Sequence, residues 1–207
     1  MSQITGSREA QRRRTRRALL DAALSLLEER SLSGLGLREV ARAAGVAPTA
    51  FYRHFGDMEE LGTELVHEAL ASLHETVRLV LASTGDAAER GDAAVRLVAD
   101  LVRNRPAHVR FLVRERHGGV RPVREAIAAQ LDAFGREVAE VLAADPVSAG
   151  WSAEDVLVLA RLLVDHMFMT ASAYLAVILD GDDWAAVTST ARRQLRLIHL
   201  GRMHWTH

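Results

Sequence analysis

The chain lacks the residues on which several classes of protein depend. None of its 207 residues is cysteine, which excludes a disulfide framework, a thiolate metal site and a cysteine nucleophile. It has no run of about 18 uncharged apolar residues, so we predict no membrane span and no membrane partner. Residues 1–17 have no apolar stretch behind their basic residues and do not form a secretory signal. These absences favour a cytoplasmic protein.

Lysine is also absent, and all 26 basic residues are arginine. A coding bias toward arginine explains this most simply, and the positions of the arginines are more informative than their number. Residues 2–17 hold six arginines and one acid, a net charge of +5, whereas residues 61–207 have a net charge of −3. The overall charge of −1 therefore combines a basic N-terminal segment with an acidic remainder. This asymmetry suggests that the N-terminal part meets a polyanion.

Strand signals are missing, because aromatic residues make up only 5% of the chain and no alternating β-branched runs are evident. Apolar spacing instead predicts an all-α fold, with three short helices in residues 1–57 and a larger helical bundle in residues 58–207. The predicted helices span residues 13–29, 37–44, a short segment from Pro48, 58–83, 92–104, 107–115, 120–144, 153–179 and 183–204. Gly45 should end the second helix, and Asp57 with Glu60 should open the fourth.

Residues 36–61 contain the motif that points most directly to a function. Two short helices joined by a tight turn at residues 45–47 form a helix-turn-helix, whose second helix enters the major groove of DNA. Phe51 and Phe55 lie four residues apart and must face the small core. The polar side chains left outside suit phosphate contact and base reading: Thr49, Tyr52, Arg53 and His54. An amphipathic helix with an ordinary polar face is the alternative, and the basic N-terminal segment favours DNA.

The stretch LREVARAAGVAPTAFYRHF at residues 37–55, followed by DMEELG at 57–62, strongly resembles the DNA-binding signature of TetR-family transcriptional regulators. More narrowly it is similar to the FabR/DesT branch, which represses genes of unsaturated fatty-acid synthesis. Residues 112–118 and 194–205 also resemble that branch. The resemblance implies a helix-turn-helix DNA-binding domain at 1–57, joined by a long helix to a ligand-binding and dimerisation domain at 58–207.

The resemblance also implies which residues meet DNA. Thr49, Tyr52 and His54 would contact phosphates or bases, and the neighbouring residues Ala47, Pro48 and Arg53 would lie at or near the groove. The remaining candidates are arginines, most of them along the DNA backbone: Arg13, Arg14, Arg16, Arg17 and Arg38.

Two departures from the family pattern stand out. Met58 or Glu59 occupies the position at which many relatives have a lysine that reaches a phosphate, so this contact is either lost or made by helix-end amides. Gly36 stands where relatives often have a serine or threonine, and it supplies no hydroxyl for a cap.

Residues 156–179 are apolar nearly all round, with only Arg161, Asp165 and His166 able to carry charge, which predicts burial on most faces. The resemblance implies that this helix and residues 185–205 form a four-helix interface of a homodimer. A two-fold dimer would bind a palindromic operator in double-stranded DNA.

The resemblance further implies a small hydrophobic ligand, a fatty acyl-CoA or related acyl thioester, that sets DNA affinity. The apolar candidates for its site are Phe111, Leu112, Phe134, Val138, Leu163, Met167 and Phe168, although plain core packing explains each of them more simply. Arg114 is a candidate for the thioester's phosphates or for an acidic carrier protein, and a solvated basic face explains it equally well. Two alternatives remain, namely a different hydrophobic effector such as a drug or metabolite, and a helical protein-interaction module without a DNA role.

Nothing in the sequence predicts catalysis. A glycine-rich phosphate loop is absent, Asp165 and His166 have no matching serine, and His204 and His207 have no third metal ligand. We therefore predict that the chain is not an enzyme and uses neither a cofactor nor a metal.

Overall fold

The computed structural model describes residues 2–81, 86–181 and 183–205. Within these ranges all regular structure is helical, which confirms the predicted all-α class. Two single 3-10 turns lie at Leu32–Gly34 and Pro146–Ser148. The α-helices in chain order are α1 (Ser2–Leu26), α2 (Leu37–Ala43), α3 (Pro48–Phe51), α4 (Met58–Leu81), α5 (Ala87–Asn104), α6 (Pro106–Glu115), α7 (Arg121–Ala144), α8 (Ala153–Asp180) and α9 (Trp184–Met203).

Most helix ends follow the signals in the sequence. Gly45 follows α2 with a φ of 68°, a left-handed conformation that favours glycine. Pro48 is the first residue of α3, where its missing amide proton costs no hydrogen bond. Asp57 caps α4, because its Oδ1 accepts the Glu60 amide at 2.8 Å. The predicted end of the fourth helix at residue 83 lies outside the described residues.

Two helices begin earlier than predicted. α1 begins at Ser2 rather than residue 13, because no apolar stripe marks its first turns. Residues 8–12 are good helix formers, whereas residues 2–7 include serine, threonine and glycine, which are not. α5 begins at Ala87 rather than residue 92 because Asp86 and Glu89 form a reciprocal cap. Asp86 Oδ1 accepts the Glu89 amide at 2.8 Å, and Glu89 Oε2 accepts the Asp86 amide at 3.3 Å.

The first compact unit comprises Met1–Ala69 and Arg110–Ile127. α1 packs on α2, and α2 on α3. The unit is larger than the domain predicted at residues 1–57, since parts of α4, α6 and α7 complete its core. Gly62 shows how tight this core is, because a Cβ atom there would overlap the side chains of Leu32 and Val123. Fully buried side chains of the unit include Leu19, Leu27, Leu32, Phe51, Phe55, Leu61, Leu65, Phe111 and Ile127.

The second compact unit comprises Leu70–Val109 and Ala128–His207, in which α5, α8 and α9 pack against one another. Arg202 near the end of α9 is buried, and its guanidinium bonds to Ser148 Oγ at 2.7 Å and Asp145 Oδ2 at 3.4 Å. The Val147 amide, followed by Arg202, lowers the pKa of Asp145. Because every partner of this buried cation is in place, the network fixes the end of α9 on the 146–148 turn.

We predicted no membrane span, yet α8 (Ala153–Asp180) is long enough and apolar enough to cross a membrane by length and composition. The prediction relied on an uncharged run, which Arg161 and Asp165 interrupt. Core helices of soluble proteins have the same composition, so this property is weak evidence for a membrane span.

Candidate nucleic-acid interface

α3 ends at Phe51, and α3 together with the turn that follows it, residues 52–55, has one buried side and one exposed side. Phe51 and Phe55 are 0% and 1% exposed, and their rings pack with centroids 5.7 Å apart. Tyr52 on the other side is 59% exposed. The neighbouring candidates Ala47, Pro48, Thr49 and Arg53 are exposed as well. The two phenylalanines therefore anchor this segment. Five of its six predicted contact residues are exposed, and His54 is half-buried. The contacts themselves stay predictions.

Gly36 has no hydroxyl to cap α2, but its own backbone amide is bonded by a side chain from the first turn of that helix. Glu39 Oε2 accepts the Gly36 amide at 3.2 Å, and Arg30 donates to Glu39 Oε1 at 2.9 Å. The hydrogen bond from Arg30, and next the Gly36 amide, lower the pKa of Glu39, so this carboxylate stays charged at the start of α2. Arg38 beside it is exposed and forms no ion pair among the described residues.

His54 is half-buried among cations. Burial is the main cause that lowers its pKa, and Arg12, Arg16 and Arg53 lower it further. Its Nδ1 atom is buried and has no hydrogen-bond partner within the described part of the chain. His54 is consequently neutral at pH 7. The three nearby guanidinium groups would attract a phosphate to this position.

The N-terminal arginines fall into two groups. Arg16 pairs with Glu64 at 2.8 Å with its guanidinium 5.1 Å from the Phe55 ring centroid, and Arg17 pairs with Asp21 at 2.9 Å and with Glu68. These two residues hold α1 against α4. The others are free of that role: Arg13 pairs only with Glu9 in solvent, and Arg8, Arg12 and Arg14 make no ion pair among the described residues. Of the predicted backbone contacts, Arg14 is thus the most available.

At the start of α4, carboxylates already bond to two of the backbone amides. Glu60 Oε2 accepts the Gly56 amide at 2.6 Å, and Asp57 accepts the Glu60 amide. Only the amides of Met58 and Glu59 are left to donate, beside three carboxylates. A phosphate contact by these amides stays a prediction.

The ligand candidates are divided between the two compact units. In the first unit Phe111 and Leu112 are 1% and 5% exposed. Arg114 donates to the carbonyl oxygens of Leu27 at 2.9 Å and Arg30 at 2.6 Å. Its guanidinium therefore satisfies backbone groups that follow the end of α1, which is a structural role that the sequence did not reveal.

In the second unit Phe134 and Val138 are 6% and 9% exposed, and the Phe134 ring stacks on His74 at 4.1 Å. His74 is itself held by Glu137 and Gln130, each at 2.9 Å. The remaining candidates are half-buried on α8: Leu163, Met167 and Phe168. Their role in ligand binding stays a prediction.

Sequence reasoning missed Glu115, a buried carboxylate that is 1% exposed. Its Oε1 atom accepts the Leu32 amide at 2.8 Å, which joins α6 to the turn before α2. Gly118 makes room for it, because a Cβ atom at that position would overlap Glu115 Oε2. The only signal for this pair in the sequence is an acid three residues before a glycine.

Comparison with known proteins decides the family. Residues 19–65 match the profile of bacterial regulatory proteins of the tetR family. Over 140 residues the chain is 41% identical to an uncharacterized HTH-type transcriptional regulator of Haemophilus influenzae. The matched region covers 67% of this chain and 68% of the relative. The chain belongs to the TetR family. As a TetR-family regulator, it is a DNA-binding protein and not an enzyme.

Solved structures share the fold of this TetR-family chain. A TetR-family regulator from Syntrophomonas wolfei superposes with a TM-score of 0.74 at 15% identity, covering 90% of this chain and 95% of that one. The fatty acid degradation regulator FadR from Bacillus halodurans gives a TM-score of 0.68 at 15% identity, covering 92% and 95%. At these identities the likeness shows the fold, whereas the FabR/DesT branch stays a prediction.

Proposed function

We propose that this TetR-family regulator is a dimeric repressor that binds a palindromic operator, with a hydrophobic ligand controlling its affinity for DNA. The observation that carries the DNA-binding part is the exposed face of α3 around Tyr52, anchored by buried Phe51 and Phe55. Because it acts on DNA, we place it in the cytoplasm.

The exposed apolar side chains of α8 and α9 support the dimer. Some large apolar residues on α8 are exposed by half or more, including Val158 at 60% and Met169 at 63%, and Leu197 on α9 is 68% exposed. A monomer would present these side chains to water at a cost of about 25 cal/mol for each Å² that a partner would cover. The occupant that fits an apolar surface on the same two helices of every copy is a second copy of this chain.

A fatty acyl-CoA or related acyl thioester is the ligand we propose. Its support is the likeness of residues 112–118 to the FabR/DesT branch, together with half-buried Leu163, Met167 and Phe168 on α8. A ligand changes DNA affinity only if it binds the DNA-competent and incompetent states unequally. We propose that the bound acyl chain shifts α4, and with it the distance between the two helix-turn-helix units of the dimer.

Operator binding is tested by fluorescence anisotropy with palindromes taken upstream of the protein's own and neighbouring genes. The wild type and the exposed-site control Arg121→Ala should bind, and Tyr52→Ala combined with His54→Ala should lose at least about tenfold in affinity. Wild-type affinity in the double variant would contradict the proposed site.

The dimer and the ligand need separate tests. Sedimentation should show a dimer for the wild type and a monomer for Leu197→Glu combined with Met169→Glu, and a monomeric wild type would contradict the interface. Thermal-shift measurements with saturated and unsaturated acyl-CoAs, against free coenzyme A as control, should raise the Tm for the acyl forms only. A response to other hydrophobic compounds and to no acyl-CoA would favour a drug or another metabolite as effector.

A further inference from the structure

The second compact unit contains a cavity of about 790 Å³, open to solvent on one side, between α5, the last turns of α8 and the first half of α9. Small-molecule sites commonly have volumes of roughly 300–1,000 Å³. The cavity shares no lining residue with the apolar candidates for the acyl ligand. Its charged lining residues are Arg96, Arg103, Arg192 and Arg193 with Asp100 and Asp183.

These arginines differ in how far they are already neutralised. Arg192 Nε pairs with Asp92 Oδ1 at 3.0 Å, and Arg103 NH1 lies 3.6 Å from Asp100 Oδ1. Arg96 and Arg193 form neither an ion pair nor a side-chain hydrogen bond with any described residue. The cavity thus has two exposed guanidinium groups without a protein partner among the described residues, Arg96 on α5 and Arg193 on α9. Arg193 lies one turn before Leu197, so the cavity adjoins the surface proposed for the dimer.

The acids of the lining do not cancel this charge. Asp100 already faces Arg103, and Asp183 uses Oδ1 to accept the Ala185 amide at 2.8 Å as the cap of α9. Four arginines and two aspartates line the cavity, so the net charge of its described lining residues is positive.

The wall between the arginines is rigid. Tyr174 is 0% exposed, its ring stacks on Trp184 at 4.3 Å, and its hydroxyl lies 2.7 Å from Thr188 Oγ1. Arg103 lies over the Trp184 ring at 4.4 Å, which fixes its guanidinium at the edge of the cavity. The Ser189 hydroxyl also lines the cavity. A wall fixed before binding lowers the entropy cost of holding a ligand.

We propose that this cavity binds a small polyanion with at least two oxyanion groups, phosphate or carboxylate, held by Arg96 and Arg193. The planar guanidinium fork matches both oxyanions, and hydrogen bonds between charged partners are the strong ones. Ser189 donates a further hydrogen bond, and Arg103 contributes fixed positive charge. Apolar ligands are disfavoured because they would bury these guanidinium groups without partners.

The test is isothermal titration calorimetry on the full chain with two probes, pyrophosphate and citrate, at an ionic strength matched with NaCl. The wild type should bind at least one probe, and the one that binds more tightly identifies phosphate or carboxylate as the preferred group. Arg96→Gln combined with Arg193→Gln should weaken that binding by at least about tenfold.

Arg196→Gln is the matched control, because Arg196 is an exposed arginine of α9 outside the cavity. It should bind as the wild type does. Equal weakening in the control and the double variant would show general attraction to a basic surface and overturn the proposal, as would absence of binding by the wild type. The exposed substitutions should leave the far-ultraviolet circular dichroism unchanged, and the single variant Arg193→Gln, with an intermediate loss, serves if the double variant unfolds.

Discussion

The exposed face of α3 and the exposed faces of α8 and α9 differ in chemistry although both are surface. The first presents a phenol, a hydroxyl and a guanidinium over two buried phenylalanines, and the second presents valine, leucine and methionine. Polar groups at a helix surface remain hydrated until a polar partner replaces water, whereas exposed apolar groups gain from any dry contact. The first surface therefore suits a charged partner that binds reversibly, and the second suits a lasting contact with another copy of the chain.

The largest expected effect comes from substituting the buried and the exposed residues of the first surface separately. Phe51→Ala should cost about 3–5 kcal/mol in the free energy of unfolding, because a buried ring leaves a cavity, and DNA binding should be lost with it. Tyr52→Ala, one residue on, should cost only about 1 kcal/mol or less while weakening DNA binding. Urea denaturation and anisotropy measure the two effects, and equal destabilisation by both variants would contradict the two-faced helix.

The second prediction concerns the hydrogen bond between Glu115 on α6 and the Leu32 amide, which joins α6 to the turn before α2. Glu115→Leu should cost about 1–3 kcal/mol, because the Leu32 amide would lose its acceptor in a buried position. Glu115→Gln keeps a carbonyl oxygen for the same amide and should be closer to the wild type. The ranking is read from urea denaturation, and a Gln variant as unstable as the Leu variant would show that the charge, not the acceptor, is what the site needs.

The two groups of N-terminal arginines can be told apart by salt. Each phosphate contact contributes about −0.9 to the slope of log affinity against log salt, so Arg14→Gln should flatten that slope by about 1. Arg17→Gln should leave the slope unchanged and lower stability by about 1 kcal/mol or less, since an exposed ion pair with α4 is lost. We expect a modest slope for the wild type, and a steep one would mean that more arginines reach phosphates.

The smallest expected effect is on pH dependence. Burial lowers the pKa of His54 and of His166 below the usual value of 6.5, so the unfolded chain binds more protons and stability falls as pH drops below about 6.5. DNA binding should respond to pH in the opposite direction. A nearby phosphate favours the protonated form of His54, so the affinity for DNA should rise as the pH drops below about 6.5. Stability and anisotropy at pH 7.5 and 6.0 check both signs. His54→Gln should remove the pH dependence of binding, and His166→Gln should change stability alone.

The sequence predicted the helices well wherever a local signal marks an end. Gly45, Pro48 and the Asp57–Glu60 cap depend on neighbours within four residues, and each was confirmed. The start of α1 escaped prediction because a helix without an apolar stripe has no period to detect.

Partners distant in the sequence could not be predicted from local spacing. Arg16 and Arg17 look like Arg13 and Arg14, and only the approach of Glu64 and Glu68 on α4 separates the pairs. Arg114 was proposed for a ligand because its carbonyl partners lie more than 80 residues away. Such pairings are set by tertiary packing, which a single sequence does not display.

The early start of α1 has a consequence for how much DNA the protein covers. A helix rises about 1.5 Å per residue, so the helical residues 2–18 span about 26 Å, whereas an extended arm of that length would reach about 56 Å. Duplex DNA advances about 3.4 Å per base pair along each strand, so a helical segment covers no more than about eight base pairs. Nuclease footprints of this regulator should therefore be compact, with sharp outer limits on both sides of the operator.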